Sequence, residues 1–270
     1  MQNLWLIPSG FLIGACGTLI GAGGGFVLMP LLLLLYPDES PEMITGISLA
    51  VVFFNALSGS MAYGRMRRID YKSGFLFSAA AIPGAILGAL TTAYISRRLF
   101  NLIFGVLMIG ASAFLLLRPN RIKEVKRDNP IYHLTRNLVE ASGANHTYSY
   151  NPLVGVGLSL FVGYISSLLG IGGGIIHVPV LVHLLNFPVH IATATSHFIL
   201  AFMAMTGTTV HVATGVFSHG VRRTISLAIG VLLGAQLGAR LSIHVHGNWI
   251  IRGLAIALGF VGIRILLMAV

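Results

Sequence analysis

Gly21-Ala22-Gly23-Gly24-Gly25 and Gly170-Ile171-Gly172-Gly173-Gly174 interrupt two apolar stretches, 4 to 35 and 153 to 185, and a proline, Pro30 or Pro179, follows each run. Glycine inside a helix costs about 0.8–1 kcal/mol against alanine. Four glycines in five residues therefore predict a broken helix with uncovered backbone amides. In hydrocarbon an open backbone survives only where protein buries it or where it lines a wet cavity. The two breaks are thus the first candidates for a site. Each stretch is also longer than one crossing of about 20 residues requires. It can be a kinked span carrying a short half-helix, or a hairpin that dips in and returns.

Outward from the breaks, the chain keeps the same character. Its 270 residues are 56% hydrophobic and 9% charged, with a mean hydropathy of +0.87, whereas about 25% of residues are charged in soluble domains. This predicts an all-α polytopic membrane protein. Further apolar runs stand at 43 to 63, 74 to 94, 99 to 117, 191 to 212, 224 to 243 and 250 to 268. The chain also repeats itself. Gly21 and Pro30 match Gly170 and Pro179 at an offset of 149, and Thr45, Ser48 and Gly59 match Thr193, Ser196 and Gly207 at 148. Gly84, Gly88 and their alanines match Gly234, Gly238 and theirs at 150. We therefore expect a first membrane repeat over 1–117, a basic linker over 118–152 and a second membrane repeat over 153–270. Each repeat would hold four helices, the first glycine-broken, giving about eight spans with the site between the halves. The basic loops Arg65 to Lys72 and Arg222-Arg223 favour this parallel, eight-span form. The hairpin reading would instead give three crossings per half and inverted halves. Gly84 to Gly88 and Gly234 to Gly238 are small-xxx-small pairs that let backbones approach closely.

The net charge of +10 does not point to nucleic acid, because the cations stand at the ends of apolar runs. Arg65, Arg67, Arg68 and Lys72 share one loop, and Arg118, Arg121, Lys123, Lys126, Arg127 and Arg136 share the linker. By the positive-inside rule both are cytoplasmic and the acidic loop Pro37 to Glu42 lies outside. The N-terminal stretch lacks the basic residues of a cleaved signal. Cys16 is the only cysteine, which excludes an internal disulfide and a cysteine metal cage.

All seven carboxylates, Asp38, Glu39, Glu42, Asp70, Glu124, Asp128 and Glu140, lie in or beside loops. Cation carriers usually hold an intramembrane carboxylate, so cation transport is disfavoured. The spans offer neutral donors, histidines and glycine-exposed helix ends, and a helix N-terminus favours an oxyanion. Candidate binding residues are Gly23, Gly24, Gly25, Gly172, Gly173 and Gly174 with the hydroxyls of Thr45, Ser48, Thr193, Thr195 and Ser196, together with Asn55 and His197. A proton or charge role falls to His177, His197 and Arg240. No metal set or cofactor motif is present, and no nucleophile with a base and acid partner marks an enzyme.

The order Gly-x-Gly-Gly-Gly, then Pro, then Thr-x-x-Ser or Thr-x-Thr-Ser, then Arg65-Met66-Arg67-Arg68-Ile69-Asp70-Tyr71, then Pro83-Gly84-Ala85 with Gly88-Ala89, resembles the TauE/SafE-type sulfite exporter family. The resemblance covers both repeats and leaves out the linker. It implies a permease of two four-helix repeats in a bacterial or archaeal inner membrane, moving a small sulfur-containing anion such as sulfite, thiosulfate or a sulfonate, often outward. Carried over by residue, it points to Gly23 to Gly25, Gly172 to Gly174, Ser48, Thr195 and Ser196. The loop from Gly215 to Arg223 departs from the family pattern, and Tyr148-Ser149-Tyr150 in the long linker is unusual. The expected partners are the anion and the bilayer, and a homo-oligomer is compatible with this reading. The alternatives are a non-transporting membrane subunit of a larger complex and a membrane-embedded enzyme.

Overall fold

A computed structural model describes residues 5–117, 134–216, 220–242 and 247–267. Among them the order is α1 (Leu6–Ile20), α2 (Gly25–Leu35), α3 (Pro41–Arg65), α4 (Tyr71–Thr92), α5 (Arg97–Leu117), β1 (Leu134–Val139), β2 (Asn145–Tyr150), α6 (Pro152–Leu169), α7 (Gly174–His183), α8 (Val189–Ala213), α9 (Val221–Leu241) and α10 (Gly247–Leu267). Every expected apolar run is a helix. Helices α3, α4, α6, α8 and α9 are each long and apolar enough to cross a membrane. Side chains such as Leu12, Leu87, Phe161 and Leu233 are exposed on the outer faces, where hydrocarbon rather than water suits them. Local signals set the starts. The Ser40 side chain accepts from the Met43 amide ahead of Pro41, and Asp70 accepts from Ser73. Asn151 accepts from Leu153 ahead of Pro152. These are N-caps with proline tolerated in the first turn.

Both glycine runs break their helices. Helix α1 ends on Gly21 at φ 82° and α2 begins after Gly24 at φ 78°, while α6 ends on Gly170 at φ 68° and α7 begins after Gly173 at φ 74°. Those left-handed angles are open to glycine at little steric cost. The chain then turns back. The start of α1 lies along the start of α9, with Gly10 against Leu227 and Gly14 against Val231. The end of α2 returns to that place, since Arg223 bonds Glu39 at 2.8 Å and covers the Tyr36 ring at 3.9 Å. In the second half Gly155, in the first turn of α6, faces Leu185, just past α7. Each glycine-broken stretch is therefore a helical hairpin with both ends on one side of the bundle.

This geometry corrects the parallel arrangement. Matching helices of the two halves pack antiparallel: Gly59 of α3 meets His197 of α8, while Leu49 meets Gly207. Likewise Gly105 of α5 meets Leu266 of α10, and Ser112 Oγ donates to Ala255 O at 2.6 Å. The corresponding apolar runs of the two halves therefore point in opposite senses. The basic loops misled because one of them is neutralised locally. Arg223 is held by Glu39 at the end of the bundle opposite Arg68, so its charge does not mark the same side.

The halves interlock. Gly84 and Gly88 of α4 leave room for the carbonyls of Leu160 and Tyr164 in α6, and Gly234 and Gly238 of α9 do the same for Phe11 and Ala15 in α1. Each hairpin thus rests on a helix of the opposite half.

The expected linker is partly folded. Strands β1 and β2 pair antiparallel from Leu134↔Tyr150 to Val139↔Asn145, the one departure from an all-α fold among the described residues. The basic stretch Arg118 to Arg127 lies outside them. Neither strand is apolar enough to be read alone. Tertiary contacts hold them: Phe187, after α7, packs against Tyr148 at 4.5 Å and Tyr150 at 5.2 Å between ring centroids. The Tyr148 hydroxyl donates to Asp70 Oδ2 at 2.8 Å, and Ala141 N donates to Met66 O at 3.0 Å. Burial first, and then the Asp70 carboxylate, push the Tyr148 hydroxyl well above its ordinary range, so it stays a donor. The β-hairpin therefore ties the α3–α4 loop to the α7–α8 loop.

Cysteines placed at the exposed positions Lys72 and Arg222, on a Cys16→Ser background, should react with an impermeant maleimide from opposite faces of sealed vesicles; labelling from one face would restore the parallel arrangement. Gly84→Ala, whose new Cβ would lie 2.1 Å from Leu160 O, should lose about 1–3 kcal/mol in thermal unfolding. Gly110→Ala, with nothing within 4 Å, should be neutral or gain up to about 1 kcal/mol.

Candidate functional site

The two breaks meet at the centre of the molecule. A Cβ on Gly25 would stand 2.4 Å from Ile171 O, and one on Gly174 would stand 2.3 Å from Gly21 O. The first residue of each half-helix therefore rests on the opposite break. The first amides of a helix have no intrahelical acceptor, and its N-terminus carries about half a positive charge. Helices α2 and α7 thus bring two positive ends to one place from opposite sides of the bundle. The hollow expected between the halves is filled in this conformation. Val52 and Leu200 occupy it, crowding Gly23 and Gly172 from both halves.

Hydroxyls flank the breaks in matching pairs. Ser48 Oγ donates to Gly170 O at 2.6 Å, and its counterpart Ser196 Oγ donates to Gly21 O at 3.4 Å. Each serine reaches across to the other half's break. Thr45 packs on Gly170 and Thr193 on Gly21. Thr195 differs: its Oγ1 accepts from the Asp70 amide at 3.1 Å, so it helps hold the α3–α4 loop rather than a break.

Thr18, on α1, escaped the sequence reading and links Asn55 to His197. Its hydroxyl donates to Asn55 Oδ1 at 3.2 Å, while its backbone carbonyl accepts from Tyr63 OH at 2.8 Å. His197 Nε2 lies 3.2 Å from Thr18 Oγ1. The His197 ring also interacts with the Gly21 backbone, so the imidazole bridges α1 and the first break. Several buried polar atoms near the breaks have no partner among the described residues: Thr45 Oγ1, Asn55 Nδ2, Ser166 Oγ and Ser167 Oγ. A buried polar group left unpaired costs about 1–3 kcal/mol, which a ligand or water satisfies. Ser166 lies against Gly173 at the head of α7. It too was missed, although the repeat offset that pairs Gly21 with Gly170 also sets Ser167 opposite Thr18.

The remaining candidates are dispersed. His177, on α7, meets Ser159 Oγ at 3.2 Å. Arg240 is exposed at the end of α9, on the same side of the bundle as Arg65 and Arg68, and so stands away from the centre. The described carboxylates also avoid it. Asp38, Glu39 and Glu42 adjoin the start of α3, whereas Asp70 and Glu140 lie at the other end with Arg136 and Arg68.

Comparison with known proteins gives a family and several relatives. The family described as sulfite exporter TauE/SafE matches residues 6–265. The chain is similar to the probable membrane transporter protein YunE of Bacillus subtilis, 33% identical over 98% of both chains. It is also similar to a probable membrane transporter protein of Methanocaldococcus jannaschii, 23% identical over 97% of this chain and 94% of that one. A third relative, the probable membrane transporter protein YdhB of Bacillus subtilis, is 25% identical over 85% of this chain and 86% of its own. No solved structure matches the chain.

The two crossing serine bonds differ in length, and their removal should differ in cost. Ser48→Ala leaves the Gly170 carbonyl buried without its donor and should destabilise by about 1–3 kcal/mol. Ser196→Ala, which removes a bond at the edge of the distance range, should cost less than half as much. Thermal unfolding of the two variants in detergent compares them directly.

Proposed function

The chain belongs to the sulfite exporter TauE/SafE family, and from that premise we propose that it is a secondary transporter exporting a small sulfur-containing anion, such as sulfite, thiosulfate or a sulfonate, by alternating access. One observation carries the reading: two half-helix N-termini meet, flanked by unpartnered buried polar groups, where no described carboxylate stands. An oxyanion placed there gains from both dipoles and from the unpartnered polar groups of the break it lies against, such as Thr45 beside Gly170 or Ser166 beside Gly173. A cation would meet positive potential on both sides.

The membrane arrangement that fits is two repeats, 1–117 and 153–270, each with three full crossings and one re-entrant hairpin. The Arg65 to Lys72 loop, the β-hairpin and the rest of segment 118–152 face the cytoplasm of a bacterial or archaeal cell by the positive-inside rule, and the Glu39 end faces out. Access alternates when Val52 and Leu200 withdraw and one hairpin tilts about its glycines while the other stays closed. The imidazoles of His197, beside the site, and of His177, on α7, are the groups through which anion and proton movement would be coupled.

Proteoliposomes loaded with labelled thiosulfate test the reading. Saturable efflux is expected, at least tenfold slower in Asn55→Leu at unchanged elution volume in size exclusion. Gly172→Val should abolish it, because φ is 79° and Val52 Cγ1 lies 2.5 Å from the new Cβ position. Folded wild-type protein that moves no sulfur anion would replace this proposal with the non-transporting subunit.

A further inference from the structure

A pocket of about 300 Å³ opens at the end of the bundle where α3 and α9 meet the turn of the β-hairpin. Arg65 and Arg68 line it from the end of α3 and the following loop, Gln236 and Arg240 from α9, and Glu140 and Ser142 from the hairpin. Three guanidinium groups thus face one carboxylate. Arg68 Nε binds Glu140 Oε2 at 2.8 Å, and Glu140 Oε1 is shared with His146 Nε2 at 3.0 Å. Each oxygen of the carboxylate thus already has one partner. Arg68 is only 8% exposed, yet its Nη1 is buried with no partner. A buried guanidinium nitrogen without an acceptor, in a pocket with an excess of two positive charges, lacks an anion.

A row of polar groups runs from the wall of the pocket toward the centre. Ala62 on its wall shares a face of α3 with Ser58 and Asn55, and the distance from Ala62 to Asn55 along the helix is about 10 Å. Ser58 Oγ accepts from Gln236 Nε2 at 2.9 Å, which joins the wall of the pocket to the row of polar groups above Thr18.

We propose that this pocket is a second oxyanion-binding site, a vestibule in which Arg65, Arg68 and Arg240 hold an anion before it passes to the centre and in which Glu140 is the built-in competitor for Arg68. The ligand is an oxyanion small enough for the pocket, either free in the aqueous phase or the phosphate of a lipid head group. Guanidinium groups suit both, because their fixed fork matches paired oxygens. The free-anion form rests on the transport reading above, but the site is separable from it.

Equilibrium binding of labelled thiosulfate to the full-length protein in phosphatidylcholine nanodiscs tests the proposal. Arg65 and Arg240 are exposed, so Arg65→Gln and Arg240→Gln should fold and should each weaken binding about five- to tenfold, the loss expected for one charge-assisted bond. Glu140→Gln should tighten it, since the amide keeps a bond to Arg68 without competing for its charge. Thiosulfate binding that depends on Arg240 identifies a free anion as ligand. Arg240-dependent stabilisation by phosphatidylglycerol discs without thiosulfate binding identifies the head-group phosphate. Both arginine variants behaving as wild type in both lipids would overturn the site. The two readings can also fail separately. Flux whose KM is unmoved by Arg65→Gln and Arg240→Gln leaves transport standing and removes the vestibule, whereas Arg240-dependent binding without flux does the reverse.

Discussion

A bilayer offers no water to an open backbone, and the arrangement of this protein follows from how its two breaks meet that constraint. Each glycine run opens backbone groups at the centre of the bundle, where an unpaired one is costly, and the other half covers part of each run. The Gly170 carbonyl takes a hydroxyl from Ser48, the Gly21 carbonyl takes one from Ser196, and the first residue of each half-helix lies on the opposite turn. Each half closes part of its own break, as where the Gly21, Ala22 and Gly23 amides bond the Thr18 and Gly17 carbonyls, and the other half supplies the rest. The same glycines that make the break possible permit the contact, because a Cβ at Gly25 or Gly174 would meet backbone at under 3 Å.

The rest of the packing reinforces that dependence. Helix α1 seats on α9 and α4 on α6 through glycines that accept carbonyls, so each hairpin leans on a helix of the other half. Van der Waals packing of this kind drives association in lipid, where apolar burial supplies little. The β-hairpin adds a polar clasp outside the helices, anchored at Asp70 by Tyr148 and at Glu140 by Arg68. Because the clasp engages one loop from each half, it also walls the pocket between them.

Much of this could be read from residues alone, and the exceptions have physical causes. The helices followed from apolar length, the breaks from four glycines in five residues, and the close contacts from glycines spaced by four. The sense of the second half did not follow, because a loop charge reports a membrane side only when it is free. Arg223 is consumed by Glu39 and Tyr36, a contact made between residues 184 apart in the chain. The strands of the linker were hidden for a related reason: Tyr148 and Tyr150 are ordered by Phe187 and Asp70, which come from other segments. At the site, Ser48, Ser196, Thr45 and Thr193 stand at the breaks as their spacing indicated, whereas Thr195 is turned to the loop by the Asp70 amide. Thr18 and Ser166 carry no local signal and become visible only once the breaks are seen to face each other.

Two inverted halves with the same sequence would make inward-open and outward-open forms equivalent by a two-fold rotation and equal in free energy. The β1–β2 clasp occurs once, at the Arg68 end, and the Glu39 end is held instead by short polar contacts such as Arg223 with Glu39. The segment between the halves therefore adds to the difference that the halves themselves already carry in the unequal Ser48 and Ser196 bonds. Under the transport cycle proposed above, the resting population, and with it the face at which an anion first finds the molecule open, is set in part by how firmly two tyrosines and a glutamate grip their partners.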